Sequence, residues 1–306
     1  NEKAAEDWFN HGVLHPGLDS LQSAIRLLRA LIVAAASRDE SARLHDALGS
    51  AATIFGERVD GETGLQMLRA AEKYYRVALE VRTRAEMPFD WAKTHNNLAT
   101  VLASIGDRLE GEASLQALSA AEMSYRAALE VRTQSNSPAD WAMTQSNLGT
   151  VLQAMSEHLD GKNGLEMLSA AAASYQAALE VRTQAEMPVD WAKTQNNLGI
   201  VLSSMSEHLE IEASLQALLT AEMRFRAALN ILSRGEYPIF WAMIHNNLGK
   251  MQRRLGERLD GGVALDALRA ADASYHAALQ VFTPDTMPSY WKVIVDNLAI
   301  VHQLIV

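Results

Sequence analysis

The stretch Trp91–Leu102, WAKTHNNLATVL, decides the fold because it does not occur once. It returns as WAMTQSNLGTVL from Trp141, WAKTQNNLGIVL from Trp191, WAMIHNNLGKMQ from Trp241 and WKVIVDNLAIVH from Trp291, each 50 residues after the last. The same frame already runs from Ser41 as SARLHDALGSAATIFGERVDG. A catalytic motif is needed once, whereas a repeated one points to an architecture built by stacking. The frame gives five complete units (41–90, 91–140, 141–190, 191–240, 241–290), a partial sixth (291–306) and an N-terminal cap segment (1–40).

Within the second unit, Trp91, His95, Leu98, Val101, Leu102 and Ile105 recur at spacings of three and four, the stripe of one helix face. Pro88 suits a first helical turn, so this helix is expected over Pro88–Gly106. In the third unit Ser137, Pro138 and Asp140 read as N-cap, N1 and N3, close to a capping box. The charged run 107–113 reads as a turn around Gly111. A second stripe follows through Leu115, Leu118, Ala121, Tyr125, Ala128 and Leu129, and its helix is expected to end near Thr133. One such hairpin cannot bury both stripes on itself, but a stack of hairpins can. A column of Ala70, Ala120, Ala170 and Ala270, and another of Gly49, Ala99, Gly149, Gly199, Gly249 and Ala299, allow close helix approach. Tyr75, Tyr125, Tyr175, Phe225 and Tyr275 are expected to fill the space between neighbouring hairpins.

The totals agree. The 306 residues are 48% hydrophobic and 21% charged, with 7 prolines and 17 glycines, a composition for a packed helical chain rather than a disordered one. A formal net charge of −10 argues against nucleic acid as a partner, since phosphates need a cationic face. The absence of cysteine excludes thiolate catalysis and fits a reducing, cytoplasmic location. The longest apolar run, 27–36, is too short for a bilayer and contains Arg29, so no membrane partner is expected, and no signal peptide is visible. Residues 18–36 look like a degenerate second arm and 3–13 like a short helix. The start at Asn1 and a first arm without a second at 291–306 read as a cut from a longer parent chain, with further domains elsewhere; a terminal cap is the alternative.

The Asn-Leu-Gly of the first helix and the Tyr/Phe-x-x-Ala-Leu of the second resemble the tetratricopeptide repeat, whose unit is about 34 residues. The wording of 91–99 and 125–133 is also similar to the kinesin light chain type, and long tryptophan-bearing bacterial repeats look closer still. The resemblance covers 41–306 and implies an all-α, right-handed α-solenoid superhelix whose first helices line a concave groove. It further implies a scaffold for a protein or peptide, with a regulatory arm of a bacterial signalling or effector protein, or a self-assembly module, as alternatives.

On that reading the groove carries Asn97, Asn147, Asn197, Asn247 and Asn297. An amide holds both donor and acceptor, so such a ladder suits the backbone of an extended peptide; equally, it suits bonding between neighbouring helices. Beside it run Asn96, Asn196 and Asn246, and then Lys93 and Lys193. Lys250, Arg253 and Arg254 with Lys193 form either a clamp for an acidic segment or a solvated basic turn. The fixed Lys/Asn/Arg set of chaperone-binding relatives is incomplete here. Arg82, Arg132 and Arg182 give way to Leu232 and Phe282, which reads as either a partner contact or internal packing.

No cofactor, metal or enzymatic activity is expected. His45, His95 and His245 share a column and point in parallel, whereas zinc ligands converge at ~2 Å. His158 and His208 sit at turns, and His11 and His15 lack a third ligand. The acidic turns 60–64 and 160–164 lack calcium-loop spacing, and no phosphate-cradling or nucleophile-elbow motif occurs.

Overall fold

The computed structural model describes residues 17–305. The expected 3–13 helix and the pair His11 and His15 lie outside them. The described residues form twelve α-helices and no strand: α1 (Leu18–Val33), α2 (Arg38–Arg58), α3 (Gly61–Leu79), α4 (Pro88–Gly106), α5 (Gly111–Leu129), α6 (Pro138–Ser156), α7 (Gly161–Val181), α8 (Pro188–Met205), α9 (Ile211–Leu229), α10 (Pro238–Gly256), α11 (Gly261–Leu279) and α12 (Pro288–Ile305). A 3₁₀ turn, Ser206–His208, follows α8. Two compact units divide the chain, one ending at His158 and the other starting at Leu159. The first holds α1 to α6 and the second α7 to α12.

Helices pair as sequential hairpins, α2 with α3 and α4 with α5 in the first unit, α9 with α8 and α10 with α11 in the second. Within each unit a hairpin also packs on the helix that follows it, so each unit is a stack. The expected helix Pro88–Gly106 is the observed one. The second arm differs at both ends. It starts at Gly111, inside the expected turn, and stops at Leu129, because Glu130 and Val131 already bond back to Arg126, Ala127 and Ala128 as a turn.

From α4 on, each first arm begins on a proline whose missing N–H would have no helical partner anyway, whereas α2 begins on Arg38 and its N-cap Ser37 accepts from the Glu40 N–H at 3.1 Å. The capping box at Ser137 is not formed. Ser137 holds the N-cap position, but its hydroxyl donates to Asn136 Oδ1 at 2.8 Å, and Asp140 lies 3.8 Å from Arg132 Nη2. In four of the five hairpins the turn uses a left-handed residue: Gly61, Gly111, Gly161 and Gly261 have φ between 54° and 70°, conformations that glycine adopts without a Cβ clash. The fourth hairpin has Ile211 at this place and takes a different route through the 3₁₀ turn.

The core follows the small columns. A Cβ on Gly49 would lie 2.7 Å from the Tyr75 ring, and one on Gly249 2.8 Å from Tyr275. The aromatic column therefore packs chiefly inside its own hairpin rather than only between neighbours. It is fully enclosed, Tyr175, Phe225 and Tyr275 being 0% exposed. Hairpins are also tied end to end. Arg108 donates to the carbonyls of Gly56 (2.6 Å) and Val59 (2.9 Å), at the C-terminus of α2, where carbonyls lack helical partners. Arg258 does the same to Ser206 at 3.1 Å. No described helix is long and apolar enough to cross a membrane.

Candidate partner-binding face

The first arms carry two adjacent polar columns, and they have different fates. In the column of Asp46, Asn96, Ser146, Asn196, Asn246 and Asp296 four side chains are buried, while Asn196 is half-buried and Asp296 exposed. Asp46 accepts from Thr94 Oγ1 at 3.2 Å and lies 3.3 Å from Arg82 Nη1, which itself donates to Thr94 at 2.7 Å. One joint on, Arg132 donates to Thr144 at 3.0 Å and Thr144 to Asn96 Oδ1 at 3.1 Å. Asn96 and Asn246, expected in the groove, are 5% and 7% exposed and face inward, so they offer nothing to a partner. Burial pulls the Arg132 guanidinium down from its ordinary value, and Asp140 opposes that.

The column of Asn97, Asn147, Asn197, Asn247 and Asn297 is half-buried throughout. In the first unit the Tyr125 hydroxyl is met by Thr100 Oγ1 at 3.0 Å and by the Asn147 amide; burial still pushes this phenol up to about 12. In the second unit Asn196 and the ladder form a chain. Asn247 Nδ2 donates to Asn196 Oδ1 at 3.1 Å, and Asn196 Nδ2 to Asn197 Oδ1 at 3.1 Å. The ladder therefore does bond between helices. Asn197 gives its acceptor end to this chain and Asn247 its donor end.

The basic set does not converge. Lys193 sits with its Nζ 4.5 Å from the ring centre of Phe240, at the start of α10. Arg253 lies about 20 Å further along the same helix at 1.5 Å per residue. Arg253 pairs with Glu257, while Arg254 pairs with Glu207 and donates to Ser203 Oγ at 2.9 Å. Burial lowers the Arg254 guanidinium from its ordinary value and Glu207 counteracts this. Their charge is neutralised inside the unit. Lys93 keeps its end 58% exposed, 3.8 Å from Asp46.

A signal available in the sequence explains the lost arginines. Arg82, Arg132 and Arg182 each donate to a threonine twelve residues on: Thr94, Thr144 and Thr194. Where Leu232 and Phe282 replace arginine, Ile244 and Ile294 replace the threonine, and all four are buried. The late apolar residues are internal packing and not a partner contact. A second matched pair supports the same logic. Ser50 meets the Tyr75 hydroxyl at 3.0 Å and Thr100 that of Tyr125, whereas Ile200 stands with hydroxyl-free Phe225. Among the described residues no group of three or more His, Asp or Glu could hold a metal ion.

Comparison with known protein families finds no match, and neither does comparison with curated proteins. Among solved structures the chain is similar to the nuclear import adaptor Nro1 of S. pombe, at 11% identity and TM-score 0.52, covering 97% of this chain and 95% of that one. A second Nro1 structure gives 13% identity and TM-score 0.51, with 97% and 92% covered. A repeat protein of tetratricopeptide type from Cytophaga hutchinsonii overlays at 13% identity and TM-score 0.38, covering 97% and 99%. At such identities the likeness concerns the fold alone, a tandem series of antiparallel helical hairpins.

Proposed function

We propose that this array of tetratricopeptide-like helical hairpins is a protein-interaction scaffold, and that a peptide or partner segment docks along the first-arm face of the second unit, at Asn197, Asn247 and Asn297. The observation that carries this reading is the contrast between adjacent columns. Asp46 and Asn96 are sealed inside by their own hydrogen bonds and Asn246 is buried in the same column, while the ladder from Asn97 to Asn297 stays half-open. Each amide engaged within the chain uses one end, and an amide has two, so Asn197 Nδ2 and Asn247 Oδ1 supply a donor and an acceptor to a passing backbone. Lys193, held over Phe240, and Ile200 border that line and set side-chain preference. Lys250, Arg253 and Arg254 are not assigned to an acidic segment, because the two arginines are neutralised internally. The Nro1 structures are of a nuclear import adaptor, which is the same class of work.

Selection of a random peptide library displayed on phage tests the proposal. Peptides that bind the intact chain should lose about tenfold in affinity, roughly 1.4 kcal/mol, against Asn197→Ala/Asn247→Ala. The melting temperature should fall modestly, since the two hydrogen bonds lost are half-buried and worth about 1 kcal/mol net each. Peptides that bind both proteins equally, or a variant that no longer folds, would assign the ladder to structure alone.

A further inference from the structure

Repeats provide internal controls: a surface that changes character in one repeat only is conspicuous. The outer face of α9 is such a surface. Ile211 is 71% exposed, Leu219 46% and Met223 61%, with half-buried Leu215 among them, giving an apolar line at four-residue spacing. Its opposite face, with Leu218, Ala221 and Phe225, is the core. At the column of Leu219 the other repeats carry Arg69, Ser119, Ser169 and Arg269. At that of Ile211 they carry glycine, and at that of Met223 they carry Lys73, Met123, Ala173 and Ala273.

The charges around this line follow a symmetry. Glu212 lies seven residues before Leu219 and Arg226 seven after, so all three fall on one seam of the helix. Leu215 and Met223 flank the same centre at four residues before and after. A helix with this pattern is complementary to its own antiparallel copy. Across a two-fold axis at Leu219, the two Leu219 side chains meet, Met223 faces the copy's Leu215, and Arg226 faces the copy's Glu212. In the single chain Arg226 already bonds Glu222 at 2.7 Å and is still 64% exposed, so it can hold both acids. Equivalent end charges exist on α3 (Glu62, Arg76) and α5 (Glu112, Arg126), but Arg69 and Ser119 at their centres give like-charge or polar contact instead of an apolar one.

We propose that α9 is a self-association surface, on which a second copy of this chain docks antiparallel about Leu219. The contact is small beside the ~800 Å² per partner of a standard stable interface, so the dimer is weak and concentration-dependent. This surface is separate from the asparagine ladder, and either can fail without the other.

Sedimentation velocity over a concentration series tests it. The intact chain should dimerise reversibly. Leu219→Arg, which installs the residue of the first and fifth repeats, should weaken the dimer by about tenfold or more, since it replaces an apolar centre with two facing charges. Glu212→Arg and Arg226→Glu should each weaken it, and the two together in one chain should restore it, a rescue that only the antiparallel register gives. Because the chain has no cysteine, Leu219→Cys should cross-link to its own copy under mild oxidation, and Val263→Cys, exposed on α11, should not. A monomer at every concentration overturns the proposal, as does a dimer indifferent to Leu219→Arg. Failure of the charge exchange to rescue overturns the register. Loss of another protein's binding in Leu219→Arg, with the chain itself monomeric throughout, assigns the face to a different partner and overturns it too.

Discussion

Two joints of this molecule solve one problem with opposite chemistry. Where α3 leads into α4, buried Arg82, Asp46 and Thr94 bond one another at 2.7 to 3.3 Å. Where α9 leads into α10, the corresponding Arg and Thr positions are Leu232 and Ile244, with no polar atom in their side chains. The repeat geometry therefore does not demand an ion pair. It demands a filled volume, in which the charged ends of the polar version are bonded while Arg82 Nε stays buried without a partner. The polar version costs desolvation, which good geometry offsets, and it tolerates no missing member. The apolar version gains from burial and tolerates conservative change.

The comparison breaks most clearly by removing one polar member. Arg82→Leu should cost about 3 kcal/mol in urea unfolding, because the buried Asp46 carboxylate loses its buried cation and keeps only Thr94 and the exposed Lys93 at 3.8 Å. Converting the whole joint to its later form, Arg82→Leu/Thr94→Ile/Asp46→Asn, should recover most of that loss or exceed it, as buried ion networks replaced by well-packed apolar groups often do. A triple variant no more stable than the single one would show that the shapes of the two joints differ.

The reverse exchange sharpens the point with a similar effect. Leu232→Arg alone should cost on the order of 3 kcal/mol, for an unpaired buried charge. Adding Ile244→Thr, with Asn196 already in place, should return about 1–2 kcal/mol by rebuilding the arrangement of Arg132, Thr144 and Asn96. Strict additivity in this cycle would refute the coupling. Thr94→Val comes next, at about 1–3 kcal/mol, since its hydroxyl serves both Asp46 and Arg82 and the methyl preserves volume.

The smallest expected effect concerns His95 and His245, each edge-on to a tryptophan at 4.4 and 4.3 Å, with Nδ1 buried and unpaired. Burial holds both imidazoles below their ordinary 6.5, and for His95 nearby Glu130 partly opposes this. The unfolded chain then binds more protons on acidification, so their contribution is present above pH 6.5 and is lost as pH falls through the folded values. His95→Gln and His245→Gln, which copy Gln145 and Gln195 of the same column, should flatten the acid side of a melting-temperature profile and leave neutral pH nearly unchanged. An unchanged acid slope would show that these two histidines do not set it.

Much of this was open to a reader of the sequence. The stripe from Trp91 to Ile105, with Pro88 for the first turn, placed the first arm of the second repeat, and Gly49 against Tyr75 shows why one column must stay small. The fate of the arginines was legible too, since Arg82 with Thr94 becomes Leu232 with Ile244 at a fixed spacing of twelve. The capping box at Ser137 misled because a proline start and a nearby acid look the same whether the hydroxyl caps the helix or, as here, bonds Asn136.

By itself the amino-acid order determined the helices and their tandem repetition, because burial against water imposes a period of about 3.6 residues that a side-chain list displays directly. Only the tertiary structure decided which of two neighbouring polar columns is spent inside. Asn96 and Asn97 differ by about 100° around one helix, and both are amides, so no hydropathy pattern separates them. The packing partner does: Thr144, arriving from the next hairpin, turns Asn96 into part of the core and leaves Asn97 half in water.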